Sequence, residues 1–107
     1  MTMPAATTIN SDKDFNDALS DRSGKIALFF TASWSAPAKT MAVAFDEVVG
    51  TTSGIRGYVV DVDLATDSAA TFSVRTVPML VLLNGAKTTM LPGAQSRENI
   101  RSFLGDG

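Results

Sequence analysis

One run of residues limits the folds open to this chain more than any other. Ile26 to Thr31 reads Ile-Ala-Leu-Phe-Phe-Thr, apolar without alternation. A strand with one wet face alternates polar and apolar residues, so an unbroken run belongs to a strand covered on both faces, at the centre of a sheet with helices on each side. Ala32 and Ser33 then lead into Trp34-Ser35-Ala36-Pro37-Ala38-Lys39, and from Ala38 to Val49 the pattern is that of an amphipathic helix. A strand-to-helix junction aims the free N–H groups of the helix start at whatever approaches it. Proteins of this class usually keep their chemistry there. This junction carries Trp, Ser and Pro, but no thiol, acid or imidazole.

The rest of the chain falls into place around that strand. Ala6 to Ile9 reads as a short edge strand. Ser11 is a helix N-cap, with Asp12 and Asp14 in the first turn where the dipole favours them. Phe15, Ala18 and Leu19 form the apolar face of this helix, and Ser23-Gly24 ends it. In the second helix Met41, Phe45, Val48 and Val49 make one stripe, with Ala38 and Ala42 beside it and Lys39, Asp46 and Glu47 facing away. Gly50 to Gly54 breaks the pattern. Ile55 to Val62 is a second buried strand with Tyr58, Val59 and Val60 at its centre, and Asp61 and Asp63 mark its polar end. Thr66 or Asp67 is placed to cap a short helix to about Phe72. Val77-Pro78 opens the strand Met79 to Leu83, since proline is tolerated where the ladder has not claimed its missing N–H. Asn84-Gly85 signals a tight hairpin into Ala86 to Leu91. Ser96 caps a last helix whose apolar face is Ile100, Phe103 and Leu104, ahead of Gly105. The order β-α-β-α-β-α-β-β-α predicts one α/β domain over residues 1–107, with parallel early strands, an antiparallel hairpin edge and four flanking helices.

Composition excludes several functions. Cysteine and histidine are both absent from the 107 residues. That removes disulfides, cysteine nucleophiles, the usual neutral-pH proton shuttle and most zinc and iron–sulfur sites. No cofactor and no metal is expected. A net charge of −2 gives no basic footprint for nucleic acid or anionic lipid. No apolar run approaches the ~20 residues of a membrane span. Met1 to Ala6 lacks a basic region followed by an apolar one, so a cytoplasmic protein is the expectation, or an organellar one if a targeting segment has been removed.

These local sequences resemble thioredoxin in order along nearly the whole chain. Phe30 to Trp34 is similar to the strand end and Trp that precede the family's Cys-Gly-Pro-Cys-Lys motif. Pro37 and Lys39 hold that motif's Pro and Lys. Asp46-Glu47 resembles the acidic pair further along the helix, and Ser73 to Pro78 the segment ending in a cis-proline. Asn84-Gly85 matches the family's hairpin, and Gly93-Ala94 its last active-site loop. The resemblance implies the thioredoxin fold, a mixed five-stranded sheet flanked by four helices. It also implies a cis Val77–Pro78 bond, for which nothing else in the sequence argues, because X-Pro bonds are cis in only about 5% of folded cases.

The departures carry the functional reading. Ser35 and Ala38 stand at the family's two cysteine positions. Thiol–disulfide exchange needs a thiolate. A serine alcohol does not ionise near neutral pH, and alanine cannot resolve a mixed disulfide. The sequence as given therefore runs no dithiol–disulfide chemistry, and no catalytic residue is assigned. Whether the chain is an enzyme of another kind stays open. The resemblance also implies that Phe29 replaces a buried Asp used as proton acceptor, Val59 the Lys that pairs with it, and Val43 a helix-kinking proline.

Each candidate has a plain reading beside the functional one. Ser35 is a sufficient N-cap, and as a nucleophile it has no His to serve as base. Pro37 suits a first helical turn. Trp34 is either core or an exposed platform, and its position before a helix start favours a contact surface. Val77-Pro78 is either an inherited loop or, as the resemblance implies, the backbone that pairs with an extended peptide. Two functions follow. One is a redox-inactive thioredoxin-like protein that binds a protein or extended peptide, as a monomer or weak dimer, through Trp34, Ser35, Ala36, Pro37, Val77, Pro78, Gly93 and Ala94. The other is a disulfide oxidoreductase whose cysteines were replaced in the laboratory.

Overall fold

A computed structural model describes residues 5–106. The N-terminal reading that rests on Met1 to Pro4 lies outside the described residues. The elements run β1 (Thr7–Ile9), α1 (Asp12–Ala18), β2 (Lys25–Thr31), α2 (Ala36–Thr51), β3 (Ile55–Asp61), α3 (Thr66–Thr71), β4 (Met79–Asn84), β5 (Lys87–Pro92) and α4 (Arg97–Asp106). The sheet order is β1-β3-β2-β4-β5, with β1, β3 and β2 parallel and β4 and β5 antiparallel additions. This is the predicted α/β thioredoxin fold, a mixed five-stranded sheet with four helices.

The unbroken run does sit at the sheet's centre, and its side chains alternate between two cores. Ala27 and Phe29 pack with Met41, Phe45 and Val48 of α2 and Ile100 and Leu104 of α4. Ile26, Leu28 and Phe30 pack with Phe15 of α1 and Ala69 of α3. The run has no polar position from Ile26 to Phe30 because the strand has no wet face there. β3 is less covered than expected: Tyr58 and Val59 are only half-buried. Its outer neighbour β1 is three residues long and pairs only with Tyr58 to Val60.

Several boundaries differ from the sequence expectation. α1 stops at Ala18, well before Ser23-Gly24. α2 runs through Gly50 to Thr51, where the Thr51 and Thr52 hydroxyls donate to carbonyls of the last turn. α4 continues through Gly105, and Lys25 Nζ of β2 reaches the carbonyls of Leu104 and Gly105 at 3.4 and 3.3 Å, a cation placed at the negative end of the helix. Asp46 does not merely face away: its Oδ1 accepts the Ala6 N–H at 2.9 Å, tying α2 to the start of the edge strand.

The short helix α3 is capped from outside. Neither Thr66 nor Asp67 caps it; Ala65 occupies the cap position with no side-chain bond. Asp12 of α1 supplies the acceptor instead. Its Oδ1 takes the Ser68 N–H at 2.8 Å and the Ser68 hydroxyl at 2.7 Å, and its Oδ2 takes the Asp67 N–H at 3.4 Å. These bonds, the Ser68 hydroxyl's first, hold the Asp12 carboxyl below its ordinary value. They favour the charged form.

One glycine sets a distance. A Cβ on Gly57 of β3 would lie 2.7 and 2.8 Å from the two methyls of Val49 on α2. Gly57 has no side chain for α2 to avoid, and helix and sheet close to that limit.

Candidate functional site

Sheet register brings the candidate residues to one edge. Phe30 of β2 faces Met79 of β4, Met79 faces Pro92 of β5, and Thr31 faces Asp61 of β3. The chain leaving β2, entering β4 and leaving β5 therefore meets at the same end of the sheet. Trp34 to Ala38, Val77-Pro78 and Gly93-Ala94 are those three segments.

The junction after β2 is held by local bonds. The Ser35 N–H donates to the Ala32 carbonyl at 3.1 Å. Ser35 is extended, and its Oγ accepts the Ala38 N–H at 3.3 Å, so it is the N-cap of α2. Pro37 fills a first-turn position that has no intrahelical bond to lose. Ser35 and Ala38 are both buried. The Ser35 hydroxyl is thus committed to the helix, with neither exposure nor a base to make it a nucleophile. Ala36 and Pro37 remain exposed beside it.

Trp34 is 70% exposed. Its Nε1–H donates to Asp63 Oδ2 at 3.0 Å, on the β3 side, and not to the Val77–Pro78 segment. Asp63 is itself held by its N–H, which donates to Asp61 Oδ1 at 2.8 Å. The sequence marked both acids as a polar strand end but gave no sign that one fixes the indole.

On the other side, the Val77–Pro78 bond is cis. The Pro78 carbonyl accepts the Gly93 N–H at 3.0 Å, so these two loops are directly joined. Gly93 has φ of 83°, a conformation that L side chains rarely adopt. Among the described residues the backbone N–H and C=O of Val77 have no hydrogen-bond partner.

A groove that the sequence did not suggest adjoins this edge. Pro37, Thr40, Met41, Val43 and Ala44 of α2 face Ala94 to Arg97 across about 520 Å³. Pro37 and Ala94, separate candidates in the sequence, share it. Val43 is exposed in an unbroken helix, and the Gln95 N–H donates to Met41 Sδ at 3.4 Å across the floor.

Beneath Ala38 the interior is hydrocarbon. Phe29 is fully buried in the same cluster as Ala38 and Phe45. Its backbone pairs with Val59 of β3. No buried side-chain polar atom lacks a partner among the described residues. The arrangement can present main chain, an indole and an apolar groove, and offers nothing to move a proton through the layer below.

The thioredoxin family model matches residues 6–106. A thioredoxin from Staphylococcus saprophyticus is 30% identical over 96 residues, covering 88% of this chain and 90% of the relative. Thioredoxin H9 of Arabidopsis thaliana is 32% identical over 94 residues, covering 84% and 67%. In three dimensions a Schistosoma mansoni thioredoxin superposes with a TM-score of 0.85 at 20% identity, covering 94% of each chain. By the extent of these matches and the architecture that accompanies them, the chain belongs to the thioredoxin family.

Proposed function

We propose that this thioredoxin-family chain has no thiol–disulfide duty and works by recognition, holding an extended segment of a protein partner on the surface around Trp34, Pro78 and Gly93. The observation that supports this most directly is the contrast between the surface and the layer below it. The helix cap, the fixed indole and the Pro78–Gly93 joint are present, while Ala38 belongs to an all-apolar core cluster in which Phe29 and Phe45 stack. Peptide pairing along a free stretch of backbone uses N–H and C=O groups and needs no sulfur. Val77 supplies such a stretch, and Trp34 is the kind of side chain that anchors an interface.

The test has two arms. Ser35→Cys with Ala38→Cys restores the dithiol; negligible insulin reduction by this folded variant is expected, and vigorous turnover would show a site only recently disarmed. In the second arm, Trp34→Asp and Val77→Asp are each compared with Thr88→Asp on β5. Crosslinking should lose the co-purifying partner in the first two and keep it in the third. Retention in all three excludes this surface.

A further inference from the structure

The indole of Trp34 is both exposed and fixed. Its N–H bond to Asp63 lies in the ring plane, so the carboxylate sits at the ring's edge and at least one face of a side chain 70% exposed is left open. Asp61 Oδ1 accepts the Asp63 N–H at 2.8 Å, which puts a second carboxylate against the backbone that carries the first. Leu64, next along the chain, is an apolar side chain 53% exposed. Neither acid is in an ion pair among the described residues; the two ion pairs there are Lys13–Asp17 and Arg97–Glu47. The cations at the junction and the opposite loop, Lys39 and Arg75, are exposed and uncommitted to these acids.

An aromatic face edged by a carboxylate suits one kind of guest. A planar guanidinium stacks on the indole and, from that position, directs N–H donors to the acid at the ring's edge. An ammonium is a compact, strongly hydrated charge that gains less from the flat face. A neutral apolar residue would bury the indole while leaving the charges of Asp63 and Asp61 without a counter-ion in a partly dried interface. Resting on the binding reading above, we infer that the segment held by this surface carries an arginine, whose guanidinium stacks on Trp34 and pairs with Asp63.

Trp34 is the chain's one tryptophan, so its fluorescence reports on this corner alone. Three capped heptapeptides of alternating Val and Thr, identical but for a central Arg, citrulline or Glu, are titrated into the protein. Citrulline keeps the planar shape and loses the charge. The arginine peptide should bind roughly fivefold to tenfold more tightly than the citrulline one, the sum of an exposed stacking and an exposed ion-pair contribution, and the glutamate peptide should be weakest. Raising the salt should narrow the preference. Asp61→Asn with Asp63→Asn keeps an oxygen acceptor for the indole, and this variant should bind the arginine and citrulline peptides alike. Equal binding of all three peptides by the unmodified protein overturns the arginine inference and leaves the binding reading standing. An arginine preference undiminished in the folded double variant also overturns it. Failure of all three peptides to bind overturns both.

Discussion

Phe29 and Phe45 stack with ring centroids 5.2 Å apart and planes 22° from parallel. Both are completely buried, one on the central strand and the other on the helix that starts at the candidate site. The contact joins the sheet to α2 within the core cluster that also holds Ala38.

That stack predicts what an acid would do in the same place. Phe29→Ala should cost about 3–5 kcal/mol, as large-to-small changes at packed aromatics do. Phe29→Asp should cost more at neutral pH, because it adds an unpaired buried charge to the same lost packing. Adding Val59→Lys should restore part of the loss, since the two positions pair across β2 and β3. Urea unfolding of the four proteins measures this. Equal stability for the Ala and Asp variants would mean that water reaches position 29.

Ser35→Ala should lower stability by about 1 kcal/mol, the worth of an N-cap. The loss should be local as well as global: the Ala38 amide, now without its acceptor, should exchange hydrogen faster than amides in the middle of α2. Unaltered exchange at Ala38 would show that the cap is not made in solution.

Asp12 predicts a pH dependence. Its carboxyl lies below the ordinary 3.8 in the folded protein, so the unfolded chain takes up the proton first as pH falls. The stabilisation it gives is whole above about that ordinary value and disappears as pH drops through the lower folded value. Asp12→Asn should therefore reduce stability near neutrality and flatten the acid limb of the stability curve. Thermal melts between pH 7 and the acid limit give the comparison, and parallel acid limbs for the two proteins would remove Asp12 from the account.

The parts of the fold visible in the sequence are those fixed by neighbours. Ser11, Ser35 and Ser96 each accept an N–H three residues ahead, a spacing that can be read directly. The stripe of Met41, Phe45, Val48 and Val49 is buried as its period requires, and Asn84-Gly85 turns β4 into β5 with Gly85 at φ of 64°. What escaped depends on partners distant in the chain. Asp12 reads as a first-turn acid of its own helix, yet it caps a helix more than fifty residues away. Asp46 reads as solvated and instead holds the Ala6 N–H.

The candidate site shows the same division. The exposure of Trp34 and the capping role of Ser35 followed from standing at a helix start, whereas the burial of Ser35 did not. The Asp63 acceptor, 29 positions on, did not, because nothing in local spacing distinguishes it from a solvated acid. The groove between α2 and Ala94 to Arg97 was likewise hidden, since it exists only once two separate segments are brought side by side. Two helix ends were misplaced at a glycine, which costs about 1 kcal/mol inside a helix: Gly50 lies inside α2, where the Thr51 and Thr52 hydroxyls bond the last turn, and Gly105 inside α4, whose end Lys25 holds from β2.

Gly57 and Val49 occupy what is in effect a single parcel of volume, divided between a strand and a helix. Valine is stiff at its first side-chain torsion and cannot swing both methyls clear. A relative of this chain with alanine at position 57 is therefore expected to carry a shorter residue at position 49, so that substitutions at the two sites travel as a pair.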